Sequence, residues 1–383
     1  MVISAASACT GTASISAAPS PSPISVVPSF ERYTGAYRTS NGITFVINGH
    51  GHMANLADDS FRQLYGTATE DHLTTGPAFE VSTPKRADVI FRVAAARADR
   101  MTYKPVNGPA LIANRLLFKE TDVSIPANGA SLAGTVTEPV TPGPHPGIVL
   151  VHGSDPGLRI DYGIWTEFYA SSGFTVLAYD KRGHGQSTGT YPGEFASADA
   201  LNSYAMDAAT ALRFLGRWPG IDSQKLGFYG GSQGGWVVPL AIGSYGAPAA
   251  FAVIASGPAV SPDQQSWWAS LAQGAGPVPP LTPDLERQIQ AIGSSTYDPT
   301  PALLAMRQPT LWLNGSSDRH VPTAYNAQLL RGFHRSNWAI EVLPDVDHGL
   351  LEDPNGFDDA AHAKRFSPGL FALVQHWLAL RQL

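Results

Sequence analysis

Apolar and polar positions follow two different rhythms along the 383-residue chain. From about residue 31 to 118 the apolar residues come in short runs at 43–47 (ITFVI), 61–65 (FRQLY) and 89–93 (VIFRV), parted by Gly, Asn, Asp and Pro. Asn41-Gly42 precedes the first run as a hairpin-turn signal, and no helical period competes with it. This predicts a small, mostly β domain over residues 31–118. After Lys119 the rhythm changes. Apolar stretches at 121–125 and 132–138 flank Asn128-Gly129, a second hairpin signal, and a Pro/Gly loop covers 141–147. Continuous apolar runs then predict buried strands at 148–151, 174–179, 225–229, 250–255, 310–313 and 339–343. Helices are expected at 162–171, 198–215 and 370–380. Strands alternating with helices imply an α/β fold, a mostly parallel sheet with helices on both faces, over residues 119–383. Within it, residues 261–306 exceed a plain crossover and read as an insertion, helical near 264–272 and 283–292.

The N-terminal stretch follows neither rhythm. Residues 1–28 are rich in Ala, Ser, Thr and Pro and carry no charge, and residues 20–29 (SPSPISVVPS) read as an extended Pro/Ser linker. Small residues dominate as at the end of a signal peptide, but a basic opening and a long apolar run are missing. Residues 1–30 are therefore expected to be either a clipped export signal, sending the protein to the cell envelope or outside, or a disordered tail on a cytoplasmic protein. Cys9, the single cysteine, sits in Ala-Ser-Ala-Cys, which faintly resembles a bacterial lipid-attachment site; one cysteine allows no internal disulfide. Charged residues make up 15% of the chain, beside an ordinary value of roughly 25%. The net charge of -6 without a Lys/Arg cluster argues against a nucleic-acid surface. No apolar run approaches the roughly 18 residues of a membrane-spanning helix.

The chemistry concentrates after the strand expected at 225–229, which runs into Gly230-Gly231-Ser232-Gln233-Gly234-Gly235 and a helix-compatible run at 236–242. Gly-x-Ser-x-Gly spacing has a mechanical reason. The serine sits on a strained strand-to-helix turn, its neighbours lack side chains where strand and helix nearly touch, and the helix N-terminus lies beneath a developing oxyanion. A serine hydroxyl is a weak nucleophile without a base. Two loops, each after an expected strand, offer partners: Asp318 in the 314–322 loop and His348 in the 344–349 loop, with Asp345 and Asp347 as rival acids. Among the 11 histidines, His320 follows Asp318 too closely to face it across a site, and His362 and His376 lie in the C-terminal segment. His50 and His52 belong to the first domain and lack acidic or Cys partners at metal-ligand spacing, so no metal and no organic cofactor is called for. An oxyanion hole needs two backbone donors. One is the N–H of Gln233; the other falls to Ser154, in His152-Gly153-Ser154 after the strand at 148–151. Asp155 beside it would oppose an oxyanion unless turned away, and a pairing with Arg159 is expected.

Together, Val151-His152-Gly153-Ser154, the stretch 179–187 (YDKRGHGQS), the serine elbow and the two downstream loops resemble the α/β-hydrolase superfamily over residues 119–383. A β-rich domain before the core, with Gly-Ser-Gln-Gly-Gly-Trp at the elbow, is similar to two-domain bacterial carboxylesterases. The resemblance implies the chain order nucleophile, acid, base: Ser232, Asp318, His348. It implies a structural role for the Asp-x-Arg-Gly-His-Gly-x-Ser turn, so Asp180 and His184 are not expected in catalysis. Members often read His-Gly-Ser-Gly-Pro at the oxyanion loop, where this chain has Asp155. Insertions at 261–306 form a cap over the site, which makes Trp267 and Trp268, with Trp236 beside the elbow, candidate substrate-binding residues. The implied activity is hydrolysis of a small-molecule carboxylic ester through an acyl-enzyme. An acyl-CoA thioesterase or acyltransferase is the alternative, although that group typically has Lys where Gln233 stands. Epoxide hydrolysis or dehalogenation would want Asp at position 232. A non-catalytic binding protein is the remaining reading, and gating, homodimer formation and stability are the roles open to the β domain.

Overall fold

The computed structural model describes residues 30–193, 197–274, 276–357 and 365–383. Cys9, the expected linker and His362 lie outside these residues.

A nine-stranded antiparallel sheet comes first. Its strands are β1 (Gly35–Thr39), β2 (Thr44–Ile47), β3 (His52–Asn55), β4 (Phe61–Gln63), β5 (Tyr65–Gly66), β6 (His72–Thr75), β7 (Ala87–Ala94), β8 (Arg97–Pro105) and β9 (Leu111–Arg115). The spatial order is β4-β3-β2-β1-β9-β8-β7-β6-β5. Only Leu64 separates β4 from β5, yet they form opposite edges. One residue reaches about 3.5 Å, so the sheet curls until its edges meet. The apolar run at 61–65 is thus two strands with a corner at Leu64, which is buried inside the curl with Tyr37, Phe45, Ile47 and Met101. Curling leaves no long bare edge to pair with another chain.

The second sheet takes β10 (Phe118–Ala127), β11 (Ala130–Pro139), β12 (His145–Val151), β13 (Thr175–Tyr179), β14 (Ile221–Gly231), β15 (Phe251–Ala255), β16 (Thr310–Gly315) and β17 (Trp338–Leu343) in the order β10-β11-β13-β12-β14-β15-β16-β17. The β10–β11 hairpin turns at Asn128-Gly129 and joins antiparallel to β13; every pairing from β13 to β17 is parallel. Parallel strands need crossovers, and helices supply them: α1 (Gly163–Ser171), α2 (Ala198–Leu215), α3 (Gly234–Gly243), α4 (Pro262–Ala272), α5 (Pro283–Ile292), α6 (Thr300–Ala305) and α7 (Thr323–Gly332), while α8 (Leu370–Ala379) follows the last strand.

Alternate side chains along each strand feed the two faces. Val149, Leu177, Phe228, Ile254 and Trp312 pack under α2 and α3, while Ile148, Leu150, Val176, Tyr229, Val253 and Leu313 pack under α1 and α8. Covered on both sides, these strands need to be apolar throughout, which is why their sequences are continuous runs. Each buried Val or Leu contributes about 1.5–3 kcal/mol. The first sheet sits against the α1/α8 face, where Ala36, Val46, Ala54 and Phe61 join the same apolar cluster. Asp59 adds a polar clamp, its carboxylate accepting from the Gly369 N–H at 2.6 Å at the start of α8.

Candidate active site

At the C-terminal edge of the parallel sheet, β14 gives way to α3 through Gly231, Ser232 and Gln233. Ser232 sits in the left-handed region at φ +50°. Its N–H donates to Ala255 O at 2.9 Å and its carbonyl accepts from the Gly235 N–H at 2.8 Å, so the strained turn is held on both sides. Gly230 and Gly235 are the glycines the crossing requires. A Cβ on Gly230 would lie 2.9 Å from Val238, and one on Gly235 would lie 2.6 Å from the Gly257 backbone. Gly234, though in the motif, would meet Val151 O at an ordinary 3.5 Å.

The loops after β16 and β17 bring Asp318 and His348 to this serine. His348 Nε2 lies 3.0 Å from Ser232 Oγ, and His348 Nδ1 lies 2.8 Å from Asp318 Oδ2. Asp318 is 1% exposed, and its other oxygen accepts the His320 and Val321 N–H groups at 2.7 and 2.9 Å. Those bonds fix the carboxylate, and the carboxylate fixes which imidazole nitrogen carries the proton. Asp345 is exposed. Asp347 is buried and accepts from the Leu351 N–H at 2.8 Å, closing the turn that carries His348.

A cavity of about 900 Å³ opens over Ser232, lined among others by Ser154, Gln233, Trp236, Trp267 and His320. Trp236 is 4% exposed and its indole N–H donates to Val260 O at 2.8 Å, so only part of its ring meets the cavity. The two tryptophans of α4 separate. Trp267 faces the cavity, whereas Trp268 packs with Val260, Leu285 and Ile289 in the core of the helical insertion. One expectation is corrected here. Arg159 does not pair with Asp155: its guanidinium donates to Gln186 Oε1 at 2.7 Å and its N–H to Asp180 at 2.9 Å, because the turn after β13 lies nearer, while Asp155 stays exposed on the cavity wall. His320, which follows Asp318 too closely to face it, still comes to the site. Its backbone caps Asp318, and the same turn swings its ring to 4.7 Å from that of His348.

Three further residues shape the site without having stood out in the sequence. Lys181, 3% exposed, donates to Gly153 O at 2.7 Å and to Gln233 Oε1 at 3.1 Å. Tyr162 accepts the Gly153 N–H at 3.1 Å and donates to Val151 O at 3.2 Å. Arg319, 1% exposed, donates to Gly276 O at 2.5 Å and to Ala272 O, binding the end of α4 to the loop that carries Asp318. The signals were slight: a lysine inside a turn motif, and an arginine next to the acid.

His152, between β12 and Gly153, is structural. Its Nε2 donates to Tyr179 O, and burial pulls its imidazole down to about 4 from an ordinary 6.5. The folded state therefore resists a proton that the unfolded chain accepts. Stability from this group is complete above pH 6.5 and drains away as the pH falls towards 4, by about 3 kcal/mol in all. His52, also drawn to about 4 by burial, acts in the same sense. Urea midpoints measured from pH 7 to 4 should fall steeply, and His152→Asn should flatten that slope by about half. An unchanged slope would remove His152 from the account.

Among the described residues, no group of three or more His, Cys, Asp and Glu could hold a metal ion, and no helix is long and apolar enough to cross a membrane. A family model described as Hydrolase_4, serine aminopeptidase, S33, matches residues 144–299, a span that includes Ser154 and Ser232 and ends before Asp318. No curated protein matches the chain. Similar solved structures include an esterase from Pyrococcus furiosus (17% identity, 69% of this chain and 91% of that one, TM-score 0.48). A putative dienelactone hydrolase from Klebsiella pneumoniae subsp. pneumoniae is also similar (17% identity, 69% and 98%, TM-score 0.46). So is Est1E from Butyrivibrio proteoclasticus, solved with ferulic acid bound (17% identity, 68% and 97%, TM-score 0.43). With its parallel sheet covered on both faces and its serine at the head of α3, the chain has the α/β-hydrolase fold, and an additional β domain precedes that core.

Proposed function

We propose that the protein is a serine carboxylesterase, with Ser232 as nucleophile, His348 as general base, Asp318 as orienting acid, and the Ser154 and Gln233 N–H groups as oxyanion donors. The observation that carries this reading is the unbroken hydrogen-bond chain from Asp318 Oδ2 through both His348 nitrogens to Ser232 Oγ. His348 Nε2 takes the serine proton as Oγ attacks the ester carbonyl, and the two N–H groups hold the resulting oxyanion. The carbon–oxygen bond to the alcohol breaks as His348 returns that proton to the leaving oxygen. Water then attacks the acyl-enzyme, passing its proton to His348, and the acid departs as Ser232 regains a proton. The helices between β15 and β16 serve as a cap, with Trp267 on its substrate-facing side.

The cavity wall carries Asp155 and Asp263 and, among the described residues, no Lys or Arg. That arrangement opposes the phosphates of an acyl-CoA and counts against the thioesterase and acyltransferase readings. It also favours one second reading. Two carboxylates suit the free ammonium of a peptide N-terminus, and the matched family model is described as a serine aminopeptidase.

A panel of p-nitrophenyl esters from acetate to palmitate, alanyl and prolyl p-nitroanilides, and acetyl-CoA separates these. Asp155, Asp263, Gln265, Ser266, Thr296 and His320 interrupt the apolar wall formed by Trp236, Trp267, Ile292 and Val321, so no continuous apolar track is left for a long chain. Acetate or butyrate should therefore be cleaved at least about tenfold faster than palmitate, and acetyl-CoA not at all. Anilides cleaved faster than every ester would replace the esterase with the aminopeptidase. No turnover, together with no fluorophosphonate labelling of Ser232, would reject both.

A further inference from the structure

Lys181 follows β13 by two residues, and its ammonium is buried among oxygens. It donates to Gly153 O at 2.7 Å, Ser154 O at 3.2 Å, Asp155 O at 3.3 Å and Gln233 Oε1 at 3.1 Å. The Tyr204 ring lies 4.2 Å from Nζ, a cation–π contact. An ammonium has only three N–H donors, so four oxygens converge on one charge.

The consequence follows from the planarity of the peptide unit. Gly153 C=O and Ser154 N–H belong to one trans peptide and point in opposite directions. An ammonium that holds the carbonyl on one side turns the N–H to the other, and Ser232 is close at hand: a Cβ built on Gly153 would stand 4.0 Å from Ser232 Oγ. The same logic orients the Asp155 N–H through Ser154 O, to which the Tyr191 hydroxyl also donates at 3.2 Å. Tyr162 holds the Gly153 N–H at 3.1 Å, which fixes the preceding His152–Gly153 peptide unit on the same loop. The grip on Gln233 Oε1 ties in the residue proposed as the second donor, because Gln233 caps the N-terminus of α3 directly after Ser232. A cation bound to a peptide carbonyl also polarises the N–H at the far end of the unit. Asp155, whose charge stands on the same loop, is offset by this buried ammonium.

We propose that Lys181 is the positioning residue of the oxyanion hole: it fixes the plane and polarity of the Gly153–Ser154 peptide and locks Gln233 to the same loop, while touching no substrate itself. This rests on the esterase reading. It gives Gln233 a reason beyond its backbone, since a lysine at that place would set two ammonium groups against each other.

The test compares wild type, Lys181→Met and Lys181→Gln on p-nitrophenyl acetate, with a trifluoromethyl ketone as a probe that forms an oxyanion on Ser232. Misplacing one oxyanion donor should lower kcat by about 10–100-fold in the Met variant. KM should stay within about threefold, and ketone affinity should weaken in step with kcat/KM. Lys181→Gln keeps one donor of similar reach to Gly153 O and should recover part of the loss; it carries the test if the Met variant does not fold. A folded variant with kcat within about twofold of wild type, or a loss confined to KM with ketone affinity unchanged, overturns the proposal. Wild type that neither turns over esters nor takes up fluorophosphonate is a different outcome, since there the esterase reading itself fails.

Discussion

Ser232→Ala is expected to lower kcat on the best p-nitrophenyl ester by about 10⁵–10⁶-fold, while the unfolding midpoint stays within about 1 kcal/mol of wild type. The two halves of this expectation have separate causes. The hydroxyl is the only atom group lost, and its recorded partner is His348 Nε2, a contact that matters to the proton and little to the fold. The positive φ of +50° costs Ala and Ser alike, and the backbone bonds to Ala255 and Gly235 survive the change. Asp318→Asn should behave differently. Asn can still accept the His320 and Val321 N–H groups, but it then turns its NH₂ towards His348 Nδ1 and drives the ring proton to Nε2, where it faces Ser232. A base already carrying a proton there cannot take another, so a loss near 10⁴-fold is expected. Ester turnover by Ser232→Ala within about tenfold of wild type would move the nucleophile elsewhere.

The strand framework of the hydrolase core was legible because burial on both faces forces continuous apolar runs, and 148–151, 225–229 and 310–313 each fall inside a strand. The Ser232 turn was legible for a sharper reason: Gly230 and Gly235 stand where any side chain would collide with the neighbouring backbone or Val238. The β domain was legible as β but not strand by strand. β7 and β8 meet across a bulge between Arg92 and Val93, which breaks the two-residue alternation. β5 is two residues long, and only the closure of the sheet shows that Phe61–Gln63 and Tyr65–Gly66 are different strands. In the site, the sequence lined up Ser232, Asp318 and His348 because each follows a recognisable strand. It gave little sign of Lys181, whose partners lie 26–28 and 52 positions away in sequence and are mostly backbone carbonyls. Backbone acceptors leave no signature in composition or spacing.

Arg182→Met is expected to destabilise the protein by about 3–5 kcal/mol, the largest loss of stability among these changes. Its guanidinium grips Asp207 of α2 with two parallel bonds, Nε to Oδ2 and Nη2 to Oδ1, both at 2.6 Å, and Nη2 also reaches Asn128 O at 3.1 Å. Arg182 is 8% exposed and Asp207 2%, and the hydrogen bonds to Asp207 hold the guanidinium above its ordinary pKa. Removing the arginine leaves a carboxylate buried without its partner, and that uncompensated charge accounts for most of the cost. The pair itself need not be worth as much. Arg182→Met with Asp207→Leu removes both charges, so the double variant should regain more than half of the loss; two independent losses that simply add would show the pair is not coupled. The same anchorage bears on chemistry. Arg182 follows Lys181 directly, so the bond to α2 fixes the backbone from which Lys181 reaches Gly153. The double variant, stable but without that tether, should therefore show lowered kcat at nearly unchanged KM, and a wild-type kcat there would mean that Lys181 holds its place without Arg182.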